Sequence, residues 1–162
     1  MIQLGNQNDV ESIAILLVET WRSCYQDFLP KSFLDNLNIE KQIYRHQKKM
    51  ESGIKYFVWK DEIGDLQGFA SYGKTRDQEI KTEIELYTLY VNLKNQKKGI
   101  GKVLLHSVIN DIKNQYQTLG VLVMEKNPYQ SFYLKNNFKL VGKQEMDLGN
   151  FVETNLIYIK EL

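Results

Sequence analysis

A mixed α/β domain is what the sequence predicts, a sheet with helices on its faces, and three observations carry that expectation. The first third of the chain has apolar residues at helical spacing. The middle is a run of Tyr-, Phe-, Val- and Trp-rich segments separated by turn residues. The last half alternates short apolar runs with one long amphipathic stretch and closes on a hairpin pattern. At 162 residues the chain fits a single domain over residues 1–162, large enough for a sizeable core.

The elements follow in order. Residues 1 to 5 make a short strand. Asn8 followed by Glu11 has the form of a capping box, and Val10, Ile13, Ala14, Leu17, Val18 and Trp21 then form one apolar helix face. Pro30 interrupts, and Ser32 with Asp35 suggests a second helix start. A third helix is expected from Ile39 to about Met50. After Ser52-Gly53, Ile54 to Lys60 and Leu66 to Lys74 are the arms of a hairpin, and Ile80 to Val91 is a long strand.

Ile100, Val103, Leu104, Leu105, Val108, Ile109 and Ile112 form the broad stripe of a buried helix. Leu119 to Met124 is a fully apolar strand of the kind found in parallel pairings. A short helix from Pro128 or Tyr129 to Asn136 follows, then a hairpin of Phe138 to Leu148 and Phe151 to Lys160 turning at Gly149-Asn150.

Charge and composition exclude several classes. A net charge of +1 gives no bulk attraction to nucleic acid or to an anionic membrane. No apolar run reaches the ~18 residues needed to span a bilayer. The first residues lack a signal-like pattern, and the single Cys24 forbids an internal disulfide, so a cytoplasmic protein is expected. His46 and His106 show no metal-ligand spacing, and no metal is expected.

The segment that carries chemistry is Gln96-Lys97-Lys98-Gly99-Ile100-Gly101, with Lys102 opening the helix behind it. The first amides of a helix have no internal partner and sit at the positive end of its dipole, so a phosphate binds there. A nucleotide P-loop would need Gly at 96 and Ser or Thr at 103, where this chain has Gln and Val. A dinucleotide fingerprint would need a third glycine at 104, which is Leu. The pattern present is Gln-x-x-Gly-x-Gly.

Residues 83 to 101, with the strand Glu83 to Val91 ahead of this turn, resemble the central motif of the GNAT superfamily of N-acetyltransferases. A second block agrees: Asn127, then Ser131-Phe132-Tyr133, then Asn137-Phe138. The early region with Trp21, Tyr25 and Phe28-Leu29-Pro30 is similar too, and the likeness covers essentially the whole chain. One departure is Asn137, where the superfamily usually has glycine; Asn is the substitute most tolerant of a left-handed turn.

The resemblance implies a mixed, mostly antiparallel sheet of about seven strands with helices on both faces. It implies acetyl-CoA as donor, with CoA as product, and a primary amine as acceptor. The 96–102 segment would cradle the CoA pyrophosphate. Leu89, Tyr90 and Val91 would pair with the pantetheine arm like an added strand, beside a gap between two diverging strands. A backbone N–H near Val91 would polarise the thioester carbonyl. Asn127 would bond the pantetheine, Ser131 would contact the cofactor, and Tyr133 would protonate the departing sulfur.

A primary amine has a pKa near ~10.4, so acetylation needs a base. Glu85, six residues before Val91, is the candidate, directly or through water. Taken as a regular strand, the segment puts Glu83, Glu85, Tyr87 and Leu89 on one face. The acceptor is expected between Trp21, Tyr25, Phe28 and the Phe151 turn, with Asp27, Glu83, Glu85 and Glu153 as acidic contacts that would suit a polyamine or other small cationic amine. Peptide or protein amines, and a non-catalytic acyl-CoA-binding role, are the alternatives. A homodimer is compatible with the resemblance.

Overall fold

In a computed structural model, which describes all residues from Met1 to Leu162, the chain forms seven strands and five α-helices. They are β1 Ile2–Leu4, α1 Val10–Cys24, α2 Lys31–Asp35, α3 Ile39–Glu51, β2 Lys55–Lys60, β3 Leu66–Lys74, β4 Ile84–Val91, α4 Ile100–Ile112, β5 Thr118–Met124, α5 Gln130–Lys135, β6 Lys139–Asp147 and β7 Val152–Glu161. The strands lie in one sheet in the order β1-β2-β3-β4-β5-β7-β6. Every neighbouring pair is antiparallel except β4 and β5, which are joined through α4 and run parallel. No helix is long and apolar enough to cross a membrane.

The two sheet faces bury different sets. Against one face, α1 and α3 cover Tyr56, Val58 and Phe69 with Ile13, Leu16, Leu17 and Val18. Against the other, Ile100, Leu104, Leu105, Val108 and Ile112 of α4 and Tyr133 of α5 pack on Ala70, Tyr72, Leu86, Val121 and Val123. Leu104 and Leu105 are fully buried, each contributing about 1.5–3 kcal/mol of transfer free energy. A third cluster joins Tyr25, Leu29 and Leu34 to Met124, Met146 and Phe151, across the ends of β5, β6 and β7.

Two expected helix starts need correction, and the third stands. The capping box ahead of α1 is Asn6 with Asp9, not Asn8 with Glu11, because a one-turn 3-10 segment over Gln7–Asp9 precedes the helix. The Asp9 carboxylate is also paired with Lys60 of β2 at 2.7 Å, a tertiary contact that fixes the start. The second helix is capped by Pro30 and has no side-chain cap from Ser32. The third is capped by Asn38, which accepts from the Lys41 amide at 2.9 Å.

The strand expected from Ile80 begins only at Ile84. Residues 80 to 83 turn back across the sheet instead, and Ile80 and Thr82 close over Gly120 of β5 in the space a Cβ would occupy. Burial of Ile80 is achieved by that return rather than by strand pairing.

β4 also carries a bulge. Ser71 faces Thr88 but Tyr72 faces Leu86, leaving Tyr87 as an extra residue. The extra residue reverses the alternation. Leu89 therefore packs with the α4-side core, while Tyr90 packs with Phe69 on the α1 side. Glu85 and Leu89 thus do not share a face, as a regular strand would require.

Candidate active site

The site forms where β4 and β5 part. They are paired only at Ile84–Leu119, Glu85–Gly120 and Leu86–Val121. Beyond that point β4 stays bonded to β3 as far as Val91, and β5 to β7 as far as Met124. The facing edges of residues 87–91 and 122–124 are left open, a V-shaped gap between parallel strands. Leu89, Tyr90 and Val91 lie along that edge, where β4 has no strand partner on the β5 side and can receive an extended, amide-bearing ligand.

At the mouth of the gap, Gly99 takes φ 86° at the N-terminus of α4, a left-handed conformation that glycine adopts without strain. Lys97 is left-handed too, at φ 60°. The first amide to find a carbonyl in this turn is that of Val103, on Gly99 O at 3.1 Å. The amides ahead of it, from Lys97 through Lys102, have no backbone acceptor and stand at the positive end of the helix dipole. Gly101 brings the helix against Phe132 and Leu89, which lie 3.4 and 3.6 Å from where its Cβ would stand. Ile100 is buried and anchors the turn; Lys97, Lys98 and Lys102 are exposed, and Lys98 bonds Asn95 at 2.8 Å. Gln96 donates to the Val91 carbonyl at 3.3 Å, tying turn to strand.

The other wall is the α5 region. Tyr133 is 8% exposed, its ring edge-on to Phe138 and stacked on Tyr158. Burial, and next the nearby Tyr90 phenol, push its pKa well above the ordinary tyrosine value. The proton therefore stays on the oxygen through the neutral range. Asn127 accepts from the Tyr129 amide at 2.8 Å and donates to the Tyr25 hydroxyl at 3.3 Å. Ser131 is exposed on the first turn of α5. Asn137 takes φ 64°, the left-handed turn ahead of β6.

On the opposite side of the gap, aromatic rings gather. Trp21 and Tyr25 meet edge-to-face at 5.2 Å, Tyr25 and Phe28 lie 5.2 Å apart, and Phe33 touches both Trp21 and Phe151. The Trp21 indole donates to the Tyr90 hydroxyl at 2.8 Å, linking this cluster to the open strand. Burial pushes the Tyr25 and Tyr90 phenols up as well. Phe33 and Tyr90, which sequence reasoning did not group with Trp21, Tyr25 and Phe28, join the same cluster. Only their long-range neighbours show this.

The acidic residues do not converge as expected. Glu83 is exposed in the bend just before β4, at the end of that strand remote from Leu89. Asp27 is exposed in the turn after α1. Glu153 is 7% exposed and paired with Lys126 at 3.3 Å. Glu85 is 1% exposed, and both of its oxygens are held by Arg76. The Arg76 Nε and amide N donate to Oε2 at 3.2 and 3.1 Å, and Nη2 donates to Oε1.

These features fit a CoA thioester: unpaired amides for a pyrophosphate, an open strand edge for amides in an extended arm, and a buried hydroxyl at its end. Fold and site together define an acyl-CoA-dependent transferase. The chain belongs to the acetyltransferase (GNAT) domain family, whose model matches residues 27–151.

It is 29% identical over 150 residues to the uncharacterized N-acetyltransferase YuaI of Bacillus subtilis, covering 87% of this chain and 86% of the relative. Its fold superposes on the PaiA N-acetyltransferase of Thermoplasma acidophilum in complex with coenzyme A, with TM-score 0.76, 20% identity, and coverage of 100% and 99%. It also matches a phosphinothricin acetyltransferase from Sinorhizobium meliloti in complex with acetyl-CoA, with TM-score 0.72, 18% identity, and coverage of 100% and 88%.

Proposed function

We propose that this protein transfers the acetyl group of acetyl-CoA to the primary amine of a small molecule. The observation that carries the reading is the open β4–β5 gap with unpaired amides at one end and the buried Tyr133 hydroxyl beside it. The amides of residues 97–102 and the helix dipole would hold the pyrophosphate, and Lys97, Lys98 and Lys102 would add charge outside it. The edge of Leu89–Val91 would order the pantetheine, with Asn127 bonding it from across the gap and Ser131 at the rim. When bound, the thioester supplies the activated acetyl group.

The amine must lose a proton to attack. That proton is assigned to Glu85 through a chain of waters, because both of its oxygens stay on Arg76. Tyr133 keeps its proton at neutral pH and is assigned to protonate the sulfur as it leaves. A backbone N–H near Val91 is assigned to the carbonyl oxygen. Trp21, Tyr25 and Phe28 favour an acceptor with an apolar body.

The polyamine form of the proposal draws less support. Glu85 and Glu153 are each paired with a base, and Glu83 lies outside the cluster. A peptide acceptor uses the same walls. The test is thiol release from acetyl-CoA against a panel of amines that includes spermidine, amino acids and short peptides. Acetyl-CoA binding with no release on any amine would favour a non-catalytic acyl-CoA-binding domain.

A further inference from the structure

Arg76 lies in the loop between β3 and β4 that crosses the acceptor side of the sheet, where Asp77 bonds Gln144 of β6 at 3.0 Å. Its guanidinium stacks on the Tyr87 ring at 4.1 Å and is held there by Glu85. Nε and Nη2 are spent on the carboxylate. Nη1, with two N–H donors, has no protein partner, and the Arg76 side chain is 50% exposed. An arginine fixed in this way, flat against an aromatic ring with free donors toward solvent, is preorganised for a second carboxylate.

The surrounding charge favours the same ligand. Lys49, on α3, is half-buried and takes part in none of the chain's ion pairs. Burial, and then the nearby Arg76 and Arg45 guanidiniums, push its ammonium below the usual pKa, with Glu85 opposing them. Lys49 and Arg76 therefore both lie close to Glu85. Asp77, the next acid in the loop, turns its oxygens to Gln144 and the Glu79 amide.

The bulge places Tyr87 on the face that carries Tyr90 and Trp21, three residues and about 10 Å down the strand. An amine at the open end of the gap and a carboxylate at Arg76 are thus separated by the length of a short methylene chain.

We infer that the acceptor carries a carboxylate, bound by Arg76 and Lys49 at the Tyr87 end of the cleft while its amine is acetylated at the Tyr90 end. The inference rests on the transferase reading and names its substrate class, an amino acid with its amine remote from its carboxylate.

The experiment compares ε-aminocaproate, its amide and hexylamine as acceptors, which share the amine and chain and differ in the anion. Thiol release gives kcat/KM, and binding of each molecule is followed in parallel by NMR. For the wild type, kcat/KM is expected to be at least tenfold higher for the acid than for the amide or hexylamine. Arg76→Gln brings the three within about twofold, chiefly through KM, and Arg76→Lys restores part of the preference. Since Arg76→Gln strips a buried carboxylate of its partner, Lys49→Gln is measured as a variant that leaves that pair intact, with the same direction expected. Carboxylate-dependent binding without turnover on any amine would support this subsite while counting against the transferase reading. Equal binding and turnover of acid and amide by the wild type, or a preference that survives both the Arg76→Gln and Lys49→Gln variants, would overturn it.

Discussion

Replacing Tyr133 by Phe removes one oxygen from a ring that is 8% exposed and packed against Phe138 and Tyr158. If the hydroxyl serves only the leaving sulfur, its loss costs the fold nothing. The hydroxyl makes no hydrogen bond within the protein and is not among its sealed, unpartnered polar atoms, so the variant should be as stable as the parent or slightly more so. For a chain of this size a gain of about 1 kcal/mol raises Tm by roughly 2–4 °C.

Catalysis moves the other way. General acids contribute about 10²–10⁴ in rate, and a thiol of pKa near ~8.5 needs less help than an alkoxide would. The low end applies, about 100-fold in kcat, or roughly 2.7 kcal/mol of barrier. KM for acetyl-CoA should change by no more than a few fold, because the unpaired amides and the open strand edge are untouched. Burial holds the Tyr133 proton in place, so the acid should add no limb to the pH–rate profile in the neutral range. The assay is thiol release with a saturating amine, beside a thermal melt. Wild-type kcat would refute the acid role. A Tm loss of more than about 5 °C would refute the claim that the hydroxyl is structurally idle.

Gly99→Ala should cost about 1–2 kcal/mol, because the residue sits at φ 86°; with nothing within 4 Å of a Cβ the penalty is purely backbone. If the turn relaxes to avoid that cost, acetyl-CoA affinity falls instead, so a melt and a titration together must show the loss. Glu85→Gln should lower kcat and shift the pH optimum upward, and an unchanged pH–rate profile would remove Glu85 as the base. His46 is 1% exposed, its Nδ1 bonded to the Tyr56 hydroxyl at 2.8 Å and its Nε2 without a partner. Burial first, then Lys49 and Arg45, push its pKa from 6.5 down to about 4. The folded state thus resists protonation that the unfolded chain accepts. Stability is full above pH 6.5 and falls as pH drops toward 4, by up to roughly 3 kcal/mol. His46→Phe should flatten that dependence in denaturant titrations at several pH values.

Much of this molecule was legible in one dimension. The helix face from Val10 to Trp21, the α4 stripe and the apolar β5 run follow local periodicity, which reports burial directly. The Gly99 turn was legible because a left-handed helix start favours glycine, and Asn137 because a left-handed turn tolerates asparagine. The start of β4 was not, since Ile80 is buried by a return across Gly120 that no local pattern encodes. Nor was the bulge at Tyr87, which depends on register with β3.

By itself the sequence pointed to the donor: a glycine turn between strand and helix that suits a pyrophosphate, and an Asn127–Tyr133 block at matching spacing. These are short-range facts, set by φ angles and helix starts within a few residues. Only the tertiary structure decided what surrounds the open end of the β4–β5 gap. The divergence of β4 from β5, the face on which Glu85 falls, and its capture by Arg76 all come from elements distant in the chain. Backbone conformation is chosen locally, but the partner of a buried charge is chosen by whatever the fold brings beside it.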